Sequence, residues 1–327
     1  MTRGGYVESV HDVAYCAVDE RGDVVSSAGA IDVPVFLRSS AKPFIAAAVV
    51  ASGAAQRFGL DRHEIAVMAA SHTGEAFHVE AVASILSKIG MDDGALQCGT
   101  HAPYDERAAA ELQRTGQAPS VLMNNCSGKH AGILALCEAI GADPTTYLKV
   151  DNPAQQRILA FCARVGDEDP QTWPIAIDGC GIPVYATPLR AAALAFARLA
   201  TLRGISDEDA LALKTVRDAM VAYPEYGSGT EAFDAALMRA ADGAIACKSG
   251  AEGVHGIAAI PQGLGVASKV IDGAARARAP VTVGVLRALG CLDEEQATKL
   301  AGYARPLVYN RAGRAVGEIR MRAKALS

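Results

Sequence analysis

Long hydrophobic runs are missing from this sequence of 327 residues. The longest apolar stretches, such as residues 44–51, fall far short of the roughly 18 residues that a membrane-spanning helix needs. No block of five like charges occurs, and the net charge is only -5. Because nucleic-acid binders typically present a basic face, we expect neither a membrane nor a nucleic acid as partner. A small-molecule substrate fits the mild charge better.

The sequence also has no C-x-x-C pair among its eight cysteines, which excludes a zinc-finger set of ligands. Its first ten residues, MTRGGYVESV, lack the apolar stretch of a signal peptide. We therefore expect reduced cysteines and a cytoplasmic location. Lysine is scarce, with nine against 22 arginines. Of these two residue types, only lysine can act as a base when its pKa is depressed. Three of the nine lie near Ser, Cys or Gly: Lys42, Lys129 and Lys248.

Half of the residues are hydrophobic, and neither an internal repeat nor a low-complexity linker divides the chain, so a single domain over residues 1–327 is expected. A hairpin is predicted at residues 10–29, and extended segments at 245–250, 253–260 and 263–272. The stretch 306–321 predicts two short extended pieces. Helices are predicted at 44–59, 61–70, 75–89, 128–140, 154–165, 189–202, 206–221 and 281–289.

Strands near both chain ends, with helices between them, predict an α/β fold. The expected architecture is one antiparallel sheet flanked by helices, built from both ends of the chain. A helical lobe is expected at roughly residues 55–240.

The segment RSSAKP (38–43) carries a serine and a lysine three residues apart. Proline is tolerated in the first turn of a helix, so Pro43 predicts a helix start just before it. Ser39 and Lys42 then share one helix face, where a neutral lysine would take the serine proton. The helix N-terminus would stabilise the developing alkoxide. An ordinary capping serine beside a solvated lysine explains the same short pattern.

Four further polar groups follow apolar runs: SHTGE (71–75), NNCSGKH (124–130), DGCGIP (178–183) and KSG (248–250). The first is also typical of a helix cap. The second leads into a helix, where backbone N–H groups bind carboxylates or oxyanions, and it lacks the upstream glycine of a phosphate-binding P-loop. The fourth resembles the K-T-G element of serine β-lactamases. Cys126 and Cys180 would supply two thiolate ligands for zinc.

In this order, RSSAKP, SHTGE, NNCSGKHAG, DGCGIPVY and KSGAEG together resemble the rhizobial-type (class 3) L-asparaginases, the asparaginase II family, over nearly the whole chain. The resemblance implies a fold like that of serine β-lactamases and penicillin-binding proteins. It also implies a homodimer that hydrolyses L-asparagine to L-aspartate and ammonia. Its site would contain two serine–lysine pairs, Ser39 with Lys42 and Ser71 with Lys248, and the aspartate Asp178.

The same resemblance places Zn²⁺ on Cys126, Lys129 and Cys180. Lysine is a rare zinc ligand because its amine must be deprotonated, and the residues alone favour His130. Neighbouring positions on a helix point about 100° apart, so only one of Lys129 and His130 is expected to bind the zinc ion. His130 is then expected to contact the ligand residues and not the metal. The remaining motif positions are expected to contact substrate: Arg38, His72, Glu75, Asn125, Gly128 and Gly250.

Either serine could be the nucleophile. Ser39 is favoured, with Lys42 as its base, while Ser71 and Lys248 would tune the charge and relay protons. Two alternatives to an asparaginase are a serine hydrolase of β-lactamase or peptidase type and a zinc-dependent binding protein without turnover. The cysteine-containing motifs disfavour the hydrolase. Ammonia release would separate the binding protein from both enzymes.

Overall fold

The chain folds into a mixed α/β structure, and the computed structural model describes residues 1–322. The strands are β1 (Thr2–Arg3), β2 (Tyr6–Val7), β3 (Val13–Val18), β4 (Val24–Ala28), β5 (Pro34–Phe36), β6 (Ile175–Ile177), β7 (Pro183–Pro188), β8 (Ile245–Ser249), β9 (Val254–Ala259), β10 (Leu264–Val270), β11 (Leu307–Tyr309) and β12 (Ala315–Glu318). The α-helices are α1 (Lys42–Ala51), α2 (Ala54–Arg57), α3 (Arg62–Met68), α4 (Ala76–Lys88), α5 (Glu106–Thr115), α6 (Ser127–Ile140), α7 (Pro153–Gly166), α8 (Leu189–Thr201), α9 (Asp207–Ala222), α10 (Pro224–Gly227), α11 (Phe233–Ala240), α12 (Arg278–Ala288), α13 (Glu294–Lys299) and α14 (Ala301–Ala304).

The central sheet has five antiparallel strands in the order β4-β3-β10-β9-β8. Strand β3 pairs with β10 from Val13 opposite Val270 to Val18 opposite Gly265. The predicted N-terminal hairpin is β3–β4, and it shares one sheet with the three late strands. The prediction of an α/β fold with an antiparallel sheet built from both chain ends is therefore confirmed.

Helix α8 lies directly on one face of this sheet. Two glycines on the facing strands make the close approach possible. A β-carbon on Gly256 would lie 1.8 Å from the ring of Phe196, and one on Gly265 would lie 2.0 Å from the carbonyl oxygen of Ala193. Helix α12 covers the opposite face, and its Thr282 hydroxyl lies 2.8 Å from Nδ1 of a histidine of β9. Thus α8 packs against the sheet, whereas the sequence analysis expected it to belong to the helical lobe.

Most predicted helices form close to their predicted bounds. Asp61 caps α3 through a capping box, and the Ser206 side chain accepts from the Asp209 amide at the start of α9. The predicted helix at 44–59 is interrupted at Gly53, whose φ of 81° is left-handed, and becomes α1 and α2.

The sequence missed the sheet β5-β7-β6, whose strands β6 and β7 lie in the region expected to be helical. It also missed α5, in which only Leu112 is buried, and the shorter helices α10, α11, α13 and α14. The two C-terminal strands pair as predicted. In the part of the chain that the structure describes, no helix is both long and apolar enough to cross a membrane.

Candidate active site

The amine of Lys42 is buried among the five motifs described in the sequence analysis. Pro43 is the second residue of α1, as predicted, and a 3₁₀ turn over Arg38–Ala41 precedes that helix. The Lys42 side chain is only 1% exposed. Its ammonium group donates to the Ala70 carbonyl, to Ser71 Oγ at 3.0 Å and to the Asn125 carbonyl at 3.3 Å.

This geometry differs from the predicted pairing of Ser39 with Lys42. Between residues 1 and 322 no hydrogen bond links the two side chains, and Lys42 bonds to Ser71 instead. A buried ammonium group has three protons to satisfy. The end of α3 and the loop before α6 together supply three acceptors, whereas Ser39 would supply one.

Burial changes the charge that Lys42 carries. Desolvation lowers the pKa of Lys42, and the neighbouring Lys129 lowers it further, while the Cys126 sulfur opposes both. A lowered pKa increases the fraction of the neutral amine, which is the form that accepts a proton. The Lys42–Ser71 pair thus has the geometry and the direction of pKa shift that a base and its hydroxyl require.

Lys248 lies near this pair but does not bond to Ser71. Its amine donates to the Ser249 carbonyl at 2.8 Å, so the predicted pairing of Ser71 with Lys248 also differs from the structure. Burial lowers the pKa of Lys248 to about 8, and the charge of Lys42 contributes in the same direction. The expected effect of Lys42 on Lys248 agrees with this direction, whereas the lysine that lowers the pKa of Lys42 is Lys129.

An ion pair joins the first motif to the fourth. Arg38 donates to Asp178 Oδ1 from Nε at 2.8 Å and lies 2.7 Å away at Nη2. Burial alone would raise the pKa of Asp178, but the Arg38 hydrogen bond and the charge of Lys129 hold it below its usual value. Arg38 has a φ of 50°, in the left-handed region that non-glycine residues rarely adopt. Such backbone strain concentrates at functional sites.

The three predicted zinc ligands are buried and converge. Lys129 Nζ lies 3.0 Å from Cys180 Sγ. The pKa of Cys126 is held well below its usual value, first by a hydrogen bond from Cys180 and then by the charges of Lys129 and Lys42. Burial and the bond to Cys126 raise the pKa of Cys180. These shifts favour a thiolate at Cys126 over one at Cys180, and thiolate is the form that binds metal.

Two sulfur atoms and one nitrogen form a donor set that suits zinc. Lys129 makes this contact, and His130 does not: His130 Nδ1 lies 2.7 Å from the Tyr147 hydroxyl. His130 is fully buried, and its Nε2 has no hydrogen-bond partner in the described part of the chain. The residues present fit a zinc ion if Lys129 loses a proton, because burial alone would lower its pKa but the Cys126 and Cys180 sulfurs raise it.

His72 holds two of the motifs together. It is fully buried; Nε2 lies 2.8 Å from Ser127 Oγ, and Nδ1 accepts from the Gly74 amide. Burial lowers the pKa of His72 well below its usual value, so the ring is neutral and joins the loops at both nitrogens. The structure thus gives His72 protein partners in place of the expected substrate contact.

Glu75 ties the same loop to a segment that the sequence analysis missed. Its carboxylate accepts from the Thr230 amide at 3.0 Å and the Thr230 hydroxyl at 2.7 Å. The Ser71 amide donates to the Gly227 carbonyl at 3.3 Å. Gly229, at a φ of 141°, leaves no room for a β-carbon beside Thr73. The turn at residues 227–230 therefore fixes the position of Ser71.

The two glycines expected to contact substrate serve close packing. A β-carbon on Gly128 would lie 2.3 Å from the carbonyl oxygen of Val67, so this glycine lets α6 approach α3. A β-carbon on Gly250 would lie 2.7 Å from the carbonyl oxygen of Leu37. The end of β8 is thus pressed against the 3₁₀ turn that carries Ser39. The loop before α6 is held by His101, whose Nε2 accepts from the Asn125 amide at 3.0 Å.

A small cavity lies between these groups. It is lined by Arg38, Lys42, Lys129 and Asp178, among others, and has a volume of about 10 Å³, which is room for one water molecule. A much larger cavity of about 420 Å³ lies elsewhere, between the N-terminal strands, α12 and residues 319–322. The serine–lysine cluster does not line this larger cavity.

The chain was compared with known proteins. No curated protein sequence matches it. Solved structures of a protein called Mglu are similar to it: one is 14% identical with a TM-score of 0.39, covering 85% of this chain and 67% of that one. The native form is 13% identical with a TM-score of 0.36, covering 89% and 62%. The tris and glutamate form is 15% identical with a TM-score of 0.36, covering 93% and 60%.

The chain spans only about three fifths of the last two structures' length, and likenesses of this size carry no conclusion about fold or function. The family model for L-asparaginase II, in contrast, matches residues 1–321. That match covers all five motifs gathered around Lys42. The chain therefore belongs to the L-asparaginase II family and is an enzyme of the L-asparaginase type.

Proposed function

We propose that this enzyme hydrolyses L-asparagine to L-aspartate and ammonia with Lys42 as general base and Ser71 as nucleophile. The observation that carries the proposal is the hydrogen bond of 3.0 Å between Lys42 Nζ and Ser71 Oγ. It supplies the contact between nucleophile and base that covalent catalysis requires. The base is itself oriented by the carbonyls of Ala70 and Asn125.

The neutral amine of Lys42 removes the proton of the Ser71 hydroxyl as Oγ attacks the side-chain amide carbon of asparagine. The resulting ammonium group then protonates the leaving nitrogen, and ammonia departs. Water attacks the acyl carbon while Lys42 takes a proton from the water, and Lys42 passes this proton to Ser71 Oγ as the acyl–oxygen bond breaks, which releases aspartate and restores the serine. Ser39 lies in the adjoining 3₁₀ turn, partly exposed, and its hydroxyl would contact the substrate.

Charges of both signs around this pair suit a zwitterionic substrate. Asp178 is ionised and paired with Arg38, so it would bind the α-ammonium group of asparagine. Lys248, as an ammonium group, would bind the α-carboxylate and keep Lys42 neutral by repulsion. Both charges lie on segments pressed against the 3₁₀ turn of Ser39.

Cys126, Lys129 and Cys180 would hold a zinc ion in this site. When bound, zinc supplies a positive charge that polarises an oxygen or fixes the two ligand-bearing turns. The bond between Lys129 and Cys180 already holds these turns together. His130 supports the cluster from behind through Tyr147.

The finer architecture is proposed to be that of serine β-lactamases. The S-x-x-K segment lies at the start of a helix, and the K-S-G segment ends the edge strand β8 beside it. Homodimer formation and a cytoplasmic location stay predictions; light scattering of the purified protein tests the first.

Ammonia release from asparagine tests the activity, and covalent trapping tests the nucleophile. An electrophilic asparagine analogue should leave its adduct on Ser71, located by peptide mass mapping. Ser71→Ala should abolish labelling, while Ser87→Ala, a change at an exposed serine of α4, should not. An adduct on Ser39 would show that Ser39 is the nucleophile, as the sequence analysis favoured. An adduct on neither serine would point to direct attack by water.

A further inference from the structure

A second group of buried ionisable side chains lies behind strand β8. Asp234, in the first turn of α11, and His255 of β9 are each at most 2% exposed. Asp234 Oδ2 accepts from the Ser249 amide at 2.7 Å and lies 3.8 Å from Lys248 Nζ. Its other oxygen, Oδ1, lies 3.3 Å from His255 Nε2. The carboxylate therefore contacts both residues at the end of β8.

Asp234 is ionised although it is buried. Burial alone would raise the pKa of Asp234, but His255, Lys248 and Arg278 together lower it far below its usual value. Burial also lowers the pKa of His255, while the neighbouring Asp234 opposes that shift. The ring is held on its far side by the Thr282 hydroxyl of α12. The carboxylate is thus held through Oδ2 by the Ser249 amide, while, within residues 1–322, Oδ1 lies beside the His255 ring without a hydrogen bond to it.

A cation site is one alternative for this group, because Asp234, Cys247 and His255 offer ligand atoms within 4.8 Å of one another. The local charge disfavours it. Lys248 and Arg278 already neutralise the carboxylate, and burial raises the pKa of the Cys247 thiol. A divalent ion would add positive charge beside two cations. We therefore interpret the Asp234 carboxylate as the partner of the Lys248 ammonium group and not as a metal ligand.

We propose that Asp234 is a positioning residue for Lys248: it keeps this amine protonated at the active site and anchors the end of β8 through the Ser249 amide. The proposal rests on the proposed function, in which the Lys248 ammonium group binds the substrate carboxylate. The mechanism otherwise leaves the buried aspartate without a role. His255 packs beside the other carboxylate oxygen of Asp234.

The groups facing Lys248 decide its charge. Lys42 from α1 and Arg278 from α12 lower the pKa of Lys248, as does burial, which is the largest effect. Asp234 from α11 opposes them, and Cys247 on the same strand adds a smaller opposing contribution. Removing the carboxylate therefore lowers the pKa of Lys248 and neutralises it at a lower pH.

The experiment is the pH profile of kcat and KM for asparagine in Asp234→Asn. The alkaline fall of kcat/KM should move down by about one pH unit, since an adjacent opposite charge shifts a pKa by about that much or more. The change should appear mainly as a rise in KM. Asp234→Glu should restore part of the shift. Asp209→Asn removes another buried carboxylate, whose ion pair is with Arg164 and not with Lys248, and should leave the profile unchanged.

The decisive comparison replaces Lys248 by arginine, whose charge does not titrate in the range of the assay. In a Lys248→Arg background, Asp234→Asn should no longer move the alkaline limb, because arginine stays protonated. If the alkaline fall of kcat/KM did not move in Asp234→Asn, while Lys248→Met was inactive, this inference would be overturned and the proposed function would stay intact. If Lys248→Met retained wild-type KM and kcat, the role of Lys248 in the proposed function would fail instead.

Discussion

Replacing Lys42 by methionine removes the amine at the centre of the site and keeps the shape of the side chain close to that of lysine. Ser71 Oγ then loses the partner that lies 3.0 Å away. The hydroxyl has no base in contact and stays protonated at neutral pH. We expect asparagine hydrolysis to fall sharply while the fold persists.

The size of the loss follows from the role of a general base. Such a group contributes roughly 10²- to 10⁴-fold to the rate, equivalent to about 3–5 kcal/mol of transition-state stabilisation. The effect on folding is smaller because two contributions oppose each other. Leaving the Ala70 carbonyl without its Lys42 donor costs about 1–3 kcal/mol. The Asn125 carbonyl keeps the hydrogen bond from the His72 amide. Methionine, however, avoids the several kcal/mol that burying an amine costs.

The assay is ammonia release at saturating and at low asparagine, alongside thermal unfolding of the same samples. We expect kcat to fall at least 100-fold with a shift in Tm of only a few degrees. Lys42→Arg separates base from charge: arginine keeps the positive charge but does not act as a base, so it should be as inactive as methionine. Lys269→Met, at a partly buried lysine of β10, is the matched control and should keep activity.

An active Lys42→Arg enzyme would refute the reasoning, because a permanent cation would then suffice. A Lys42→Met enzyme with more than a tenth of the wild-type kcat would do the same. If Lys42→Met unfolded, Lys42→Arg activity measured on folded protein would still decide between the base and the charge.

Three further outcomes are expected. Asparagine should be hydrolysed at least about tenfold better than glutamine by kcat/KM, a gap of about 1.4 kcal/mol; equal values would exclude the proposed substrate. Purified enzyme should contain about one zinc per chain, which elemental analysis should find lost from the double variant Cys126→Ala, Cys180→Ala; retained stoichiometric zinc would contradict the ligand assignment. Gly256→Ala should destabilise the fold by more than about 3 kcal/mol in denaturant unfolding, since the new methyl group would overlap Phe196; a wild-type midpoint would show that α8 moves freely away from the sheet.

Local rules predicted the elements whose signals lie within a few residues. Pro43 marked the start of α1, and Ser206 marked the cap of α9. The alternation of Val13, Tyr15 and Ala17 with other residues marked β3, although the strand is buried on both faces and paired on both sides in the sheet. The short strand β6, three residues long, carries too few residues for any periodicity to appear.

The site itself was predicted as a set of residues but not as a set of contacts. Residues three apart on a helix are neighbours, which suggested Ser39 as the partner of Lys42. A lysine side chain is long and flexible, and its direction was decided by acceptors on α3 and on the loop before α6. No sequence pattern pointed to Asp234 as a functional residue, because aspartate is common in the first turn of helices, where it interacts favourably with the helix dipole.

The pairing of β3 with β10 has a consequence for the order in which this protein is made. About 250 residues separate the two strands along the chain, and a ribosome adds roughly 5–20 residues per second. The apolar strand β3 therefore waits on the order of 10–50 seconds before its partner exists. During that time its backbone is an unpaired edge open to other chains. Newly made chains should thus depend on chaperones, or on slow synthesis at low temperature, more than the finished enzyme's stability would suggest.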